Sequence, residues 1–286
     1  MEGTDIERLF SGCLNIPFVF TATIGNVLVL GAIWRTSGLH SAAYVLVFSL
    51  ALSDLGVGLI CQPSFVIRKL FPDTLKGNEL LERVFPTCFC SVSLFTVTLI
   101  GVDRYLAVKL HLRYKEMVTT KRTVYVSTAV WVGSTMATLV FYLESMSPLQ
   151  VFQFFHCPVI VTCFFTNIFV YRKLYRVCRY QHAKIQDQTV VQQDSGLSQR
   201  TANEARFRKS VKRMIFIVFA LIFCYLPFWC YKVLMAVHRY NSKPPGFTFT
   251  VTFLYINSSI NPALLYFQIT DLRLAIKRMI TQALDR

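Results

Sequence analysis

Charged and polar side chains interrupt several otherwise apolar segments of this chain. Asp54 is a lone carboxylate inside one such segment, and Asp103, Arg104 and Tyr105 close another. A third segment turns polar at Asn261. Charged groups are costly in hydrocarbon, so residues of this kind usually mark ion pathways, proton relays or moving parts. These positions are the first candidates for chemistry or for switching.

Asp54 needs hydrogen-bond partners if it lies near the middle of a bilayer. The amide and hydroxyl side chains that could supply them are Asn26, Ser93, Asn257, Ser258 and Asn261. The last three are spaced i, i+1 and i+4, which is broadly one face of a helix. The oxygens of this set suit a hard cation. An interhelical network without an ion, at about 0.6 kcal/mol per hydrogen bond, is the alternative.

The composition indicates a membrane protein. Of the 286 residues, 54% are hydrophobic and 16% are charged, whereas a soluble domain carries about 25% charged residues. A net charge of +15 would favour nucleic-acid binding in a soluble protein. In a membrane protein the same basic total arises from Lys and Arg retained on the cytoplasmic side. A lipid bilayer, and no nucleic acid, is therefore the expected partner.

Seven apolar segments each reach the roughly 20 residues that a helix needs to cross a bilayer. We number them spans 1 to 7, with approximate bounds 13–34, 42–66, 84–108, 124–142, 149–174, 211–237 and 247–267. Residues 271–283 then place apolar and basic side chains on opposite faces, which predicts an amphipathic helix on the membrane surface. The expected fold is an all-α membrane protein, a single seven-transmembrane helix bundle over residues 1–286.

The charges of the connecting segments predict the orientation of the chain. With the N-terminus outside, 22 of the 30 Lys and Arg residues fall on the cytoplasmic side, as the positive-inside rule requires. Residues 1–12 then form an extracellular tail. Residues 180–209 are too polar to build a core and are expected to form a mobile third cytoplasmic loop. Residues 270–286 hold the amphipathic helix and the tail.

Six signatures occur in order along the chain and together resemble those of the rhodopsin-like (class A) G-protein-coupled receptors. They are Gly25-Asn26-Val27, Leu50-Ala51-Leu52-Ser53-Asp54, Asp103-Arg104-Tyr105, Trp131, Cys224-Tyr225-Leu226-Pro227 and Asn261-Pro262-x-x-Tyr266. The resemblance covers all seven spans and the amphipathic helix. It implies a plasma-membrane receptor, not an enzyme, that passes the signal of an extracellular ligand to a heterotrimeric G protein as span 6 moves outward.

The resemblance also implies roles for individual residues. Asp54 and Ser93 would hold an allosteric sodium ion within the polar network. Asp103 would hold Arg104 at rest, and Arg104 would meet the G protein and Tyr171 on activation. The other members of the expected activation switch are Tyr105, Tyr225, Pro227, Pro262 and Tyr266. The proline in span 6 removes one backbone hydrogen bond and gives that span a pivot.

Several positions depart from the family pattern. Glu79 stands where a Cys usually forms a disulfide with the second extracellular loop, so that disulfide is not expected. Tyr255 replaces the retinal-binding Lys of opsins, and Pro86 replaces the Asp of amine receptors. Retinal and a simple amine are therefore not expected as ligands. Cys163 replaces the usual Pro of span 5, and with the short second loop this weakly resembles the melanocortin, lysophospholipid, cannabinoid and adenosine receptors.

Other classes of protein stay open at this point. An ion-coupled membrane transporter would use Asp54 to carry ions, although the spans show no paired repeat. A receptor-like chain that no longer signals would keep the fold and tolerate the departures at Cys163 and Tyr225. An intramembrane enzyme would need a catalytic set, whereas the five His residues are scattered near span ends.

Overall fold

The computed structural model describes residues 2–74, 77–110, 113–145, 152–190, 216, 219–234 and 246–285. The α-helices within these residues are α1 (Glu2–Arg35), α2 (Ala42–Gly56), α3 (Gln62–Leu70), α4 (Phe85–Leu110), α5 (Tyr114–Met117), α6 (Thr120–Ser145), α7 (Phe152–Val190), α8 (Phe219–Leu234), α9 (Phe247–Gln268) and α10 (Thr270–Leu284). A short 3₁₀ turn, Ser37–Leu39, lies between α1 and α2.

The described residues of each predicted span are helical. Span 1 is α1, span 2 is α2 together with α3, and spans 3 to 7 are α4, α6, α7, α8 and α9. The π-helical turn Val57–Cys61 joins α2 to α3 without a break, and a second one, Leu80–Val84, leads into α4. The described segments that are long and apolar enough to cross a membrane are Ile6–Arg35, Ala42–Leu70, Leu80–Leu110 and Thr120–Val140.

Two helices are longer than the sequence predicted. α1 begins at Glu2, so the predicted tail 1–12 is mostly helical and continuous with span 1. α7 continues to Val190, because its cytoplasmic extension contains neither Gly nor Pro and consists largely of residues that tolerate a helix. The first part of the predicted loop 180–209 is thus helical, and residues 191–209 lie outside the described residues.

The helices pack around α4 and α9, and they leave an apolar outer surface. α1 lies against α9, α3, α2 and α10, whereas α4 contacts α2, α6 and α7. Trp131 of α6 donates its indole N–H to Ser49 of α2 at 3.0 Å. On the outer face of α1, Phe20, Ile24 and Val27 are at least half exposed. Exposed apolar side chains at helical spacing are what a lipid-facing surface requires.

The predicted amphipathic helix is α10. Leu272, Ala275 and Ile276 are buried, while Lys277 and Arg278 on the opposite face are exposed. α10 packs against α1 and α9, so its apolar face is covered by the bundle.

Glu7 joins the outer ends of α1 and α9. Its carboxylate accepts hydrogen bonds from the backbone N–H of Gly246 at 3.1 Å and from that of Thr248 at 3.2 Å. These N–H groups have no partner within their own helix, and a carboxylate there also complements the helix dipole. One turn below, the Phe10 and Phe249 rings meet edge to face at 5.9 Å. The helical extension of span 1 therefore positions the start of span 7.

Gly25 permits the close approach of α1 to α9. A Cβ atom at this position would lie 2.8 Å from Cβ and 3.0 Å from Cγ of Pro262. The Pro262 ring cannot rotate away as a flexible side chain would, because it is bonded to its own backbone nitrogen.

We expect Gly25→Ala to lower the free energy of unfolding by about 1 to 3 kcal/mol, because the added methyl group overpacks this contact. Thermal unfolding of the purified protein measures the effect. Gly133→Ala is the matched control, since a Cβ at Gly133 meets nothing within 4 Å. Equal melting temperatures for the two variants would show that the contact with Pro262 is not tight.

Candidate functional site

The carboxylate of Asp54 is fully buried and collects three side-chain donors. Oδ1 accepts the hydroxyl of Ser258 at 2.7 Å and that of Ser93 at 3.0 Å, and Oδ2 accepts Nδ2 of Asn261 at 2.7 Å. Spans 2, 3 and 7 therefore meet at one charged group. The donors satisfy the hydrogen-bonding requirement that burial places on a carboxylate.

Asn26 and Asn257 belong to the same network but do not contact Asp54 directly. Asn26 Nδ2 donates to the carbonyls of Ala22 at 2.8 Å and Ser258 at 3.2 Å, which ties span 1 to span 7. Asn257 Nδ2 lies 3.4 Å from the hydroxyl of Tyr225 in span 6. The three polar residues of span 7 thus divide between two partners, because positions i and i+1 on a helix point about 100° apart.

Tyr225 connects span 6 to span 3. Its hydroxyl donates to the backbone carbonyl of Cys90 at 3.3 Å, and its ring meets Phe164 of span 5 edge to face at 6.4 Å. The sequence predicted that Tyr225 belongs to a switch but did not point to Cys90 as its partner. Every residue has a backbone carbonyl, so the residue type does not reveal which carbonyl accepts the hydrogen bond.

The donor set around Asp54 fits a monovalent hard cation. The carboxylate and the hydroxyl oxygens of Ser93 and Ser258 adjoin one another, and hydroxyls can turn lone pairs as well as protons toward a neighbour. Oδ1 of Asn26 is buried and has no hydrogen-bond partner. Asn261, in contrast, presents its amide nitrogen and would remain a donor to the carboxylate rather than a ligand.

The C-terminal end of α4 carries an ion pair whose two side chains differ in exposure. Arg104 Nη2 lies 3.5 Å from Asp103 Oδ2, and the Asp103 side chain is 6% exposed whereas that of Arg104 is 49% exposed. The other oxygen of Asp103 accepts the hydroxyl of Tyr114 at 2.6 Å. Burial and this hydrogen bond raise the pKa of Tyr114 to about 12, so at neutral pH the phenol stays protonated and donates.

Sequence reasoning missed Tyr114. It lies in the short helix α5, between spans 3 and 4, and no spacing in the sequence links it to Asp103. The contact depends on how the loop folds back toward the end of α4. Arg122 supports that fold, since its guanidinium donates to the carbonyls of Met117 at 2.9 Å and Glu116 at 3.4 Å.

We expect Tyr114→Phe to raise ligand-free signalling. The variant loses the hydrogen bond that orients Asp103, and a hydrogen bond to a charged group contributes about 1.5 kcal/mol or more. If Asp103 holds Arg104 at rest, as the resemblance implies, the resting arrangement would lose about tenfold or more in population relative to an activated one. Nucleotide exchange on a G protein without ligand is the measurement. Tyr125→Phe, at an exposed tyrosine of α6, should change nothing, and equal basal rates for both variants would contradict the role of Tyr114.

Tyr171 of span 5 is 8% exposed and lies next to span 3 just above Arg104. A Cβ atom added at Gly101, three residues before Arg104, would lie 3.7 Å from the Tyr171 ring. One turn further outward, Asn167 Nδ2 donates to the hydroxyl of Thr98 at 2.8 Å. The Tyr171 ring therefore reaches the end of span 3 that carries the ion pair.

The remaining predicted switch residues are placed as follows. The Tyr105 ring has Lys109 Nζ 5.7 Å from its centroid. Tyr266 is half-buried, with its ring 5.4 Å from that of Phe267. Pro262 is buried within α9 against α1. The helix α8 continues on both sides of Pro227. None of these four contacts the Asp103–Arg104 pair among the hydrogen bonds and ion pairs described.

Aromatic side chains fill the outer half of the bundle. The Phe65 and Tyr255 rings meet edge to face at 5.5 Å, and Phe228 contacts Trp229 at 5.7 Å and Phe247 at 6.0 Å. These residues belong to spans 2, 6 and 7. Phe65 and Tyr255 are buried in the hydrophobic core, and Phe228 and Trp229 pack against it.

Charged residues at the outer ends of spans 2 and 3 form ion pairs. Arg68 Nη1 lies 3.0 Å from Glu82 Oε1, and Arg83 Nε lies 2.8 Å from Glu79 Oε2. Glu79, which stands at the position of the usual disulfide cysteine, is thus engaged by Arg83. Within the part of the chain whose side chains are described, the cysteines are unpaired thiols.

Comparison with known proteins matches nearly the whole bundle. A family model described as 7 transmembrane receptor (rhodopsin family) matches residues 25–266. Human trace amine-associated receptor 9 is 29% identical over 272 residues, which cover 86% of this chain and 77% of the relative. Trace amine-associated receptor 365 of Petromyzon marinus is 25% identical over 282 residues, 91% of this chain and 76% of the relative. These relatives give no support to the weaker resemblance to the melanocortin, lysophospholipid, cannabinoid and adenosine receptors.

Proposed function

The chain belongs to the rhodopsin family of seven-transmembrane receptors and is a multi-pass plasma-membrane protein that signals through G proteins, and we propose that it does so by the outward movement of span 6. The N-terminus lies outside, which agrees with the excess of Lys and Arg on the opposite side. The family is not enzymatic, and it does not favour the transporter or the non-signalling alternative.

The ligand binds from outside, between the outer halves of spans 2, 3, 5, 6 and 7. The aromatic contacts of Phe65, Tyr255, Phe228 and Trp229 support this location. A ligand shifts the receptor toward the activated state only by binding that state more tightly than the resting one. Tyr225 is suited to transmit ligand binding to the neighbouring spans. Its ring contacts Phe164 of span 5, and its hydroxyl donates to the carbonyl of Cys90 in span 3.

Arg104 is the residue that meets the G protein. At rest it adjoins Asp103, whose carboxylate is already anchored by Tyr114. When span 6 moves, Arg104 leaves Asp103 and reaches toward Tyr171 and the transducer. The half-exposed guanidinium beside a nearly buried carboxylate is the single observation that carries this proposal, because such a pair is held loosely and can separate at low cost.

Asp54 and Ser93 hold a sodium ion in the resting state, with Ser258 as a further oxygen ligand. The adjoining oxygens of Asp54, Ser93 and Ser258 support this assignment. When bound, the ion supplies the positive charge that compensates the buried carboxylate. No other cofactor is proposed, and retinal is not proposed because Tyr255 stands at the position of the opsin lysine.

The ligand is not a simple amine, although the relatives are named trace amine-associated receptors. The position at which amine receptors carry an Asp is Pro86, which is buried and uncharged here. An ammonium group placed against Pro86 would lose its hydration without gaining a counter-charge.

Reconstitution of the purified receptor with heterotrimeric G proteins tests the function. We expect it to accelerate nucleotide exchange above the rate of receptor-free bilayers, and a ligand screen would use the same readout. Ion flux into sealed vesicles that contain the receptor tests the transporter alternative. Exchange that never exceeds the background with any G-protein class, together with ion flux, would overturn the proposal.

A further inference from the structure

The ion pair between Arg68 and Glu82 lies at the mouth of the bundle. Arg68 is in the last turn of α3, and Glu82 is in the π-helical turn that leads into α4. Their side chains are 23% and 25% exposed, and Nη1 lies 3.0 Å from Oε1. The second pair nearby differs, since Arg83 and Glu79 are 50% and 32% exposed and lie one turn apart on a single helix.

Arg68 lies on the face of span 2 that is directed toward span 7. Phe65 and Arg68 are spaced i and i+3, about 60° apart on the helix, whereas Gln62 lies about 120° from Arg68. Gln62 Nε2 lies 3.5 Å from the carbonyl of Tyr255, and the Phe65 ring meets the Tyr255 ring. Arg68 lies one turn further outward than Phe65.

Glu82 lies on the face of span 3 that is directed toward the bundle centre. Glu82, Pro86 and Cys90 are spaced i, i+4 and i+8 along one face. Pro86 and Cys90 are buried, and the carbonyl of Cys90 accepts the hydroxyl of Tyr225 from span 6. Arg68 and Glu82 are therefore the outermost residues on the helix faces that point into the bundle. Aromatic side chains lie directly below them. The carboxylate lies about one turn above Pro86, and π-helical turns such as Leu80–Val84 are frequent at functional sites.

We propose that Arg68 and Glu82 form the recognition site for a small zwitterion with an aromatic body, whose carboxylate binds Arg68 and whose ammonium binds Glu82. The inference rests on the proposed function, because it names the ligand class of that receptor. Phe65 and Tyr255 are each 2% exposed and contact each other, so the ring of the ligand would lie above them, at the level of the ion pair.

The ligand class follows from the charges. A ligand with one charge would leave one member of this half-buried pair unpaired, which costs binding energy. A ligand with both charges replaces the hydrogen bonds between Arg68 and Glu82 with charge-assisted hydrogen bonds of its own to each of the two residues. Glu82 would then bind the ammonium group of the ligand in place of the Asp that amine receptors carry at the position of Pro86.

Three compounds that share a phenyl ring separate the possibilities. Phenylalanine carries both charges, phenethylamine only the ammonium and phenylpropionate only the carboxylate. We expect phenylalanine to stabilise the purified full-length receptor against thermal unfolding at concentrations about tenfold lower than either of the others. Equal stabilisation by all three compounds, or none by phenylalanine, would overturn the proposal.

Charge-removing variants test the two residues. Arg68→Gln should weaken phenylalanine binding about tenfold and leave phenethylamine the better ligand, whereas Glu82→Gln should favour phenylpropionate. A purely structural ion pair would lower stability in both variants without reversing the order of the ligands, and that result would overturn the proposal. Arg83→Gln, in the exposed second pair, should leave the order unchanged.

Nucleotide exchange measured on the same samples keeps this inference distinct from the proposed function. Basal exchange without any phenylalanine binding would reject the zwitterion site and leave the receptor function standing. Phenylalanine binding with the predicted order, but without exchange on any G protein, would support the site and reject the signalling proposal.

Discussion

Arg104→Ala is expected to reduce nucleotide exchange, with and without ligand, to the rate of receptor-free bilayers. The guanidinium is the group that we propose to leave Asp103 and contact the G protein, and alanine offers neither charge nor reach. Because the Arg104 side chain is 49% exposed, its removal should change folding little. Surface expression and thermal unfolding should therefore match those of the unchanged receptor.

Two controls sharpen this result. Arg104→Lys keeps the charge but loses the planar fork of donors, so partial activity would show that charge alone contributes. Arg83→Ala removes an exposed arginine on the opposite side of the membrane and should leave exchange intact. The switch role fails if Arg104→Ala signals normally, or if its loss of signalling is matched by a loss of folded protein.

Asp54→Ala is expected to lower the free energy of unfolding by about 2 to 4 kcal/mol. The substitution removes the acceptor of Ser93, Ser258 and Asn261 at once, and buried donors without partners are destabilising. The two serines can turn to carbonyls of their own helices, which limits the loss. Thermal or denaturant unfolding of the purified receptor measures it.

Asp54→Asn separates the charge from the geometry. It has nearly the same shape and can still accept hydrogen bonds, so the loss of stability should be smaller than for alanine. We also expect the melting temperature of the unchanged receptor to rise when sodium chloride replaces N-methylglucamine chloride at equal ionic strength, because an ion that binds only the folded state stabilises it. The asparagine variant should lose this rise, and its persistence there would place the sodium effect elsewhere.

Local chemistry was sufficient to predict the spans and the identity of the polar network. Helix length and apolar content are properties of single segments, and a carboxylate such as Asp54 in hydrocarbon demands partners wherever the other helices lie. The sequence therefore predicted a set of candidate partners without coordinates: Asn26, Ser93, Asn257, Ser258 and Asn261. The structure selected Ser93, Ser258 and Asn261 from that set. The amphipathic helix α10 also followed from sequence, because apolar and basic residues alternate along it at helical spacing.

Only the tertiary structure decided how the helices meet. The rotation of α9 directs Asn257 to Tyr225 instead of Asp54, and the folding back of the loop brings Tyr114 to Asp103. Arg68 and Glu82 belong to different spans, so their pairing depends on the distance between two helix ends. Such contacts arise from helix rotation, tilt and loop path, and these result from packing over the whole bundle. A single segment of sequence does not encode them.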